Sequence, residues 1–123
     1  QDRATKHRFK ELEIWKQSRQ FCSQIYSVTN SFPEAEKFGL TNQLRRASVS
    51  IPSNIAEGSS RSSNKDFCRF LEIAIGSAYE TETQILIASD LNFINEEDRE
   101  SLCSNLEIII KMLLRFKSTL LAV

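Results

Sequence analysis

The sequence contains a single histidine, and this scarcity limits the catalytic chemistry that the chain can support. His7 stands near the start of the 123 residues. Within one subunit it cannot complete a Ser-His-Asp triad, a Cys-His pair or a histidine-rich metal site. Helical ribonucleases of the HEPN type use a His a few residues after an Arg, but no His follows Arg8 or any later arginine, and Arg3 and His7 are too close together and too near the terminus. A di-iron Glu-x-x-His motif is also missing, because no His follows Glu80 or Glu82. We expect no enzymatic activity, cofactor or metal site.

Cysteine, glycine, proline and long apolar runs are scarce as well. Cys22, Cys68 and Cys103 are odd in number and lie far apart in apolar helical patterns, which favours buried thiols over disulfides. No apolar run approaches the length of a membrane span or of a signal-peptide core. These features predict a cytoplasmic protein that does not associate with a membrane.

The chain also lacks an excess of charge of either sign, since 16 Lys and Arg balance 16 Asp and Glu. The distribution is nevertheless uneven. Residues 1–19 hold six basic residues against three acidic ones, residues 41–69 hold five against two, and residues 70–107 hold one against nine. We therefore expect one face of the protein to be basic.

With only three Gly and two Pro, helical periodicity is the main pattern that is present. Ser63 with Asp66, and Asn95 before an acidic turn, are typical helix starts. The predicted helices cover residues 9–31, 40 to about 61, 63–90, and 95 to the C-terminus. Short connections favour antiparallel neighbours. We predict a flexible tail at residues 1–8 and one all-α domain at residues 9–123, an antiparallel up-down-up-down four-helix bundle.

The fourth predicted helix carries a second apolar stripe beside the one that faces the core. This stripe consists of Cys103, Ile110, Leu114 and Leu121. Two interpretations remain open, because exposed apolar stripes are disfavoured in monomers. Either the helix is deeply embedded in its own bundle, or the stripe is a subunit interface.

The second predicted helix carries a polar stripe that a proline interrupts. Spacings of three and four place most of its members on one face; they are Gln43, Arg46, Ser50, Ser53, Asn54 and Glu57. Pro52 cannot donate a hydrogen bond to the Ser48 carbonyl, so we expect a kink, with nearby hydroxyls compensating for the loss. The stripe is either a structural polar seam that holds helix register or a face that binds a ligand or RNA.

Basic residues flank the predicted turn between the second and third helices. They are Arg45, Arg46, Arg61, Lys65 and Arg69. Five cations can neutralise several phosphates, which makes these residues the candidate nucleic-acid-binding set. No aromatic platform of the RNP type interleaves with them, so a solvated surface is the alternative. We expect Arg46, Ser50, Asn54 and Glu57 to favour the seam, and the other four cations to favour a partner.

Several short motifs together resemble one protein family. They are Phe32-Pro33 with Glu36, Gly39-Leu40-Thr41, Gln43 to Ala47, SIPSNIAEG at positions 50–58, Arg61, Asp66-Phe67, Arg69-Phe70-Leu71, Ala74 and Gly76-Ser77. The chain resembles proteins encoded in intervening sequences of bacterial 23S ribosomal RNA genes, over residues 9 to the C-terminus. That family is similar to the accessory protein of diversity-generating retroelements. The family motif singles out Arg45, Arg46, Ser50, Asn54, Glu57 and Arg61.

The resemblance implies four-helix protomers that form ring-shaped homopentamers, with no established enzymatic activity and with nucleic-acid binding through a basic face. The leading hypothesis is a non-enzymatic homo-oligomer that binds structured RNA, or a nucleic-acid-processing protein, through the basic residues. The alternative is a structural protein–protein interaction module without nucleic-acid contact, which would use the fourth helix and the acidic stretch at residues 72–107.

Overall fold

The chain folds into four long helices. The structure, a computed structural model, describes residues 8–122. The helices are α1 (Glu13–Thr29), α2 (Leu40–Ser59), α3 (Asn64–Asp90) and α4 (Glu96–Leu121), with short 3-10 helices at Phe9–Glu11 and Glu34–Glu36. No strand occurs within this range, which confirms the all-α class. Of the predicted tail, only Arg8 falls within the described residues, and it is exposed; His7 and Val123 lie outside them.

The four helices surround one apolar core. α1 and α3 each pack against both α2 and α4, and among residues 8–122 no Cα atom of α1 lies within 8 Å of α3, nor one of α2 within 8 Å of α4. The fully buried side chains include Ile25, Leu44, Ile51, Ile55, Phe67, Leu71, Ile85, Leu102, Leu106, Ile109 and Leu113. Burial of one such side chain contributes roughly 1.5–3 kcal/mol of transfer free energy. The periodic apolar stripes therefore converge on the centre of a four-helix bundle.

Side-chain caps begin the last two helices. Ser63 Oγ accepts a hydrogen bond from the Asp66 N–H at 3.1 Å, and Asn95 Oδ1 accepts one from the Asp98 N–H at 2.7 Å. Both satisfy a donor that the first helical turn leaves free. These two predicted helix starts are confirmed to within one residue.

The first helix begins later than the sequence predicts. Leu12 has φ −77° and ψ 127°, an extended conformation, and it separates the 3-10 helix at Phe9–Glu11 from α1. Its side chain packs against the core. The predicted single helix over residues 9–31 is therefore wrong at its start, because tertiary packing of one leucine interrupts the helical backbone.

α2 continues as one helix through Pro52. Hydroxyls were expected to compensate for the missing N–H, but the Ser48 hydroxyl donates to the Arg45 carbonyl instead. The donor to the Ser48 carbonyl is the Cys22 thiol of α1, at 3.0 Å. Burial raises the pKa of Cys22 to about 11, so the thiol keeps its proton near neutral pH.

The second apolar stripe of α4 is only partly covered by the bundle. Ile110 is buried and Cys103 is half-buried, whereas Leu114 and Leu121 are 45% and 61% exposed.

Cys22, Cys68 and Cys103 are all free thiols. No helix in the described part of the chain is long and apolar enough to cross a membrane.

Candidate nucleic-acid interface

Several contacts gather four chain segments at one end of the bundle. Lys117 near the end of α4 pairs with Glu72 in the first half of α3 at 3.1 Å. The rings of Phe67 and Phe116 lie 5.4 Å apart on the same two helices. Gly58, near the end of α2, approaches Phe67 closely, and a cleft lined by Leu12 and Phe116 joins the start of α1 to the end of α4. This end comprises residues 8–21, 50–77 and 109–122.

The charges of the described residues separate between the two ends. The end formed by residues 8–21, 50–77 and 109–122 contains ten Lys and Arg against five Asp and Glu. We call it the basic end. The opposite end, residues 22–49 and 78–108, contains four Lys and Arg against ten Asp and Glu. A chain with no net charge thus has a strongly asymmetric surface, and an anionic partner is attracted to one end and repelled from the other.

Three of the predicted nucleic-acid-binding residues lie at the basic end, around the turn between α2 and α3. Arg61 pairs with Glu57 at 3.0 Å, and its guanidinium lies 4.6 Å from the centroid of the Phe70 ring. Arg69 and Asp66 approach to 3.9 Å, and both are exposed. Lys65 is exposed and has no ion pair with any residue from 8 to 122. Exposed pairs of this kind are weak, so these cations remain available to an anion.

Arg45 lies at the opposite end, where it links α2 to α1. Its Nε donates to Thr29 Oγ1 at 2.9 Å, and its Nη2 donates to Asn30 Oδ1 at 3.1 Å. The guanidinium also lies 4.6 Å from the centroid of the Tyr26 ring. Its donors are directed at α1 and the residue after it, which gives Arg45 a structural role in the bundle.

Arg46 is also distant from the α2–α3 turn. It precedes Arg61 by fifteen residues, which corresponds to about 22 Å along a helix. Arg46 and Gln43 are exposed, and they line a cleft of about 340 Å³ together with Ser50, Ser77 and Glu80. The carboxylate of Glu80 makes this cleft a poor site for phosphate.

The polar stripe of α2 is internally bonded only at its centre. Ser50 Oγ lies 2.8 Å from Ser77 Oγ of α3, and Asn54 Nδ2 donates to the carbonyl and the hydroxyl of Ser50 at 2.8 and 2.9 Å. Ser53 and Glu57, like Gln43 and Arg46, are exposed in the single chain. The polar seam within the chain is therefore Ser50 and Asn54, with Ser77 as the partner across the helix interface.

Sequence reasoning missed two groups of residues at the basic end. One is Lys111, Arg115 and Lys117 in the second half of α4. The other comprises Lys10, Lys16 and Arg19 around Phe9 and Trp15 at the start of α1. The signal for the first was present, since residues 108–123 contain three basic residues and no acidic one. The second group comes together through the break at Leu12, and the local sequence pattern did not indicate that break.

Comparisons with known proteins agree on one family. A family model described as 23S rRNA-intervening sequence protein matches residues 10–115. Among solved structures, a protein of unknown function from the S23 ribosomal protein family of Bacteroides thetaiotaomicron is 28% identical, with a TM-score of 0.76 over 85% of this chain and 97% of that one. A comparison with curated proteins finds no match.

Proposed function

Because the chain belongs to the 23S rRNA-intervening sequence protein family, we propose that it is a non-enzymatic protein that binds structured RNA through the basic end of its four-helix bundle. The observation that carries this proposal is the separation of charge, with ten basic and five acidic residues at one end and the reverse imbalance at the other. A binding surface for a polyanion needs such a local excess rather than a net charge on the whole chain.

Several cations of the basic end are free to contact phosphates. Six of them form no ion pair with an acid anywhere in residues 8–122: Lys10, Lys16, Arg19, Lys65, Lys111 and Arg115. Each contact with an RNA phosphate releases condensed counterions, and the affinity then falls with salt by a logarithmic slope of about 0.7–0.9 per contact. The acidic opposite end repels the same RNA, which supports a fixed orientation of the bundle on it.

The chemistry of the thiols supports a binding role rather than a catalytic one. Burial raises the pKa of all three cysteines, and that of Cys22 to about 11. A thiol that keeps its proton is a weak nucleophile. The free state of all three thiols also supports a reducing location, which we take to be the cytoplasm.

The proposal extends to the architecture and the assembly. The start of α3 contacts the end of α4, and the end of α2 contacts the start of α3. These contacts support an antiparallel up-down-up-down order. The exposure of Tyr79 on α3, and of Leu114 and Leu121 on α4, supports a ring-shaped homopentamer in which these residues meet another protomer. Cyclic symmetry would give every protomer the same orientation relative to the ring axis, so that five basic ends act on one RNA.

A second candidate is a structural interaction module that recruits another protein, such as a nucleic-acid-processing protein, without touching RNA. The same exposed apolar residues of α3 and α4 favour it, because a partner protein would cover them as well as a second copy would. This alternative predicts protein capture that survives nuclease treatment and is lost in the Leu114→Glu variant.

Charge reversal at each end of the bundle tests the RNA proposal. The variant Lys65→Glu/Arg115→Glu changes the basic end, and Lys37→Glu/Arg46→Glu makes the same change of charge at the opposite end. We expect the first to lower affinity for folded 23S ribosomal RNA fragments at least tenfold and to reduce the salt slope by about 2. The control variant should bind like the wild type.

Filter binding across a range of ionic strengths provides both quantities. The proposal fails if the wild type shows no binding at low salt, or if the two variants lose affinity equally. In the first case, nuclease-resistant capture of a protein would favour the interaction module.

A further inference from the structure

Two aromatic rings and three cations form a cleft at the start of α1. The cleft has a volume of about 720 Å³ and is lined by Phe9, Lys10, Trp15, Lys16 and Arg19. The rings of Phe9 and Trp15 lie 5.1 Å apart at an angle of 76°. The guanidinium of Arg19 lies 5.3 Å from the centroid of the Trp15 ring. Aromatic surface and positive charge thus meet in one open surface cleft.

The break at Leu12 creates this cleft. In a continuous helix, Phe9 and Trp15 would lie about 9 Å apart along the axis and about 120° apart around it, so their rings would not meet. The 3-10 helix at Phe9–Glu11 instead turns the chain before α1 begins. The Leu12 N–H donates to the Phe9 carbonyl, and the Leu12 carbonyl accepts from the Trp15 N–H. These bonds hold both aromatic residues against the same turn.

The composition of the cleft matches the chemistry of a nucleotide. Nucleobases stack on aromatic side chains, and cations contact the adjoining phosphates. Lys10, Lys16 and Arg19 are exposed and have no acidic partner between residues 8 and 122. Glu11 pairs with Arg8 at 3.9 Å. None of the three cations of the cleft is therefore engaged in an ion pair with a described residue.

A second cleft of the basic end is lined by residues that lie between Phe9 and Trp15 in the chain. Leu12 separates Phe9 from α1 and also lines the neighbouring cleft, which Arg115 of α4 borders. By contrast, Lys37 and Phe38 form a similar cation–ring contact at 5.6 Å, but they lie at the acidic end and Phe38 is 86% exposed. A cation and an aromatic ring thus meet in a second place, but at an end of the bundle where acidic residues predominate.

We propose that the Phe9–Trp15 cleft binds an unpaired nucleotide of RNA, with its base against the two rings and its flanking phosphates at Lys10, Lys16 and Arg19. This inference rests on the proposed function, since it specifies how the basic end reads the RNA. The site selects a single-stranded segment, because the bases of a duplex are stacked on one another and cannot enter the cleft.

Trp15 is the sole tryptophan of the chain, so intrinsic fluorescence reports directly on the cleft. The wild-type protein is titrated with a ten-nucleotide oligoadenylate, with a blunt RNA duplex of equal charge, and with inorganic polyphosphate. We expect the oligoadenylate to quench the tryptophan emission and the other two polyanions to leave it nearly unchanged. Equal quenching by polyphosphate would mean that phosphate contact alone is being observed, and would overturn the stacking proposal.

Variants that remove the rings but retain apolar volume provide the second measurement. Trp15→Leu and Phe9→Leu should each weaken binding of the oligoadenylate roughly 5- to 100-fold in fluorescence anisotropy, as expected for the loss of one stacked base. Phe38→Leu is the matched control and should bind like the wild type. Phe9 lies outside the four long helices, so Phe9→Leu gives a result even if Trp15→Leu disturbs folding.

The outcomes separate this inference from the proposed function. If folded RNA binds while Phe9→Leu and Trp15→Leu retain wild-type affinity for the oligoadenylate, the cleft is not a nucleotide site, but the basic end still binds RNA. If no RNA binds at low salt, both the inference and the proposed function are wrong.

Discussion

The Cys22 thiol of α1 donates a hydrogen bond to the Ser48 carbonyl of α2 across 3.0 Å. In a regular helix this carbonyl accepts from the N–H four residues later, and that position is Pro52, which has none. A side chain from the neighbouring helix thus supplies the donor that the backbone lacks. This bond explains how α2 passes through an internal proline while it stays packed on α1.

Removal of the Cys22 thiol should lower the free energy of unfolding by more than the lost packing of one sulfur atom would. We expect Cys22→Ala to lower the free energy of unfolding by about 1–3 kcal/mol, because the Ser48 carbonyl loses its donor. Cys22→Ser keeps a donor and should cost less. Urea denaturation measures both, and Cys103→Ala, another half-buried thiol, is the control. Equal stability of Cys22→Ala and the wild type would show that the bond contributes nothing.

The stability of the protein should decrease in alkaline solution through Cys22. Its pKa rises from 9.0 to about 11 because folding buries the thiol. Between these values the unfolded chain releases a proton that the folded chain keeps, so the free energy of unfolding falls as the pH rises. The contribution is fully present below about pH 9, and its loss amounts to up to about 2 kcal/mol by pH 11.

Urea denaturation at pH 8 and pH 10.5 tests this pH dependence by comparing the wild type with Cys22→Ser. Serine does not titrate in this range, so the variant should lose less stability than the wild type. An identical loss in the two proteins would assign the alkaline effect to other groups.

Two glycines should respond in opposite ways to the addition of a methyl group. A Cβ at Gly58 would lie 2.8 Å from Phe67 Cδ1 and 2.8 Å from Phe70 Cβ, whereas one at Gly76 would meet nothing within 4 Å. We expect Gly58→Ala to lower the free energy of unfolding by about 1–3 kcal/mol through overpacking. Gly76→Ala should raise it by about 0.5–1 kcal/mol, because alanine favours the helix.

Thermal or urea unfolding distinguishes the two glycine variants. If Gly58→Ala is as stable as Gly76→Ala, then α2 and α3 do not depend on the small residue for their close approach.

Adjacent arginines should differ in their effect on stability. Arg45 binds Thr29 and Asn30 and stacks on Tyr26, so Arg45→Ala should cost about 1–2 kcal/mol of unfolding free energy. Arg46 is exposed, and Arg46→Ala should stay within about 0.5 kcal/mol of the wild type. Urea denaturation of the two variants checks this order, and the opposite order would contradict the structural role of Arg45.

We expect the state of assembly to depend on the exposed apolar residues of α3 and α4. Light scattering should give the mass of a pentamer for the wild type, and the variant Tyr79→Glu/Leu114→Glu should give that of a monomer, because a buried unpaired carboxylate opposes association. Phe38→Glu, which changes another exposed apolar residue, should remain a pentamer. A wild-type monomer at high concentration would remove the ring from the proposal.

Local pattern was sufficient for the helices and for most of their ends. The apolar residues of α2 recur at helical spacing, and the residues that cap α3 and α4 act on backbone donors only three positions away. Such features depend on neighbours in the chain, so the sequence alone contains them. The same is true of the family motifs between positions 32 and 77, which the family match confirms.

The composition of the candidate site depended on distant parts of the chain. Sequence spacing grouped Arg45 and Arg46 with Arg61, but the fold directs Arg45 toward Tyr26 and leaves Arg46 beside Glu80. The same fold brings Arg115 to the cleft that Leu12 and Phe116 line.

The Phe9–Trp15 contact and the Cys22–Ser48 bond have the same origin, since each depends on how one segment packs against another. The sequence specifies which side chains are basic, aromatic or hydrogen-bond donors. Only the packing of the helices determines which of them meet, because it places residues as far apart in the chain as Gln24 and Asn105 within hydrogen-bonding distance.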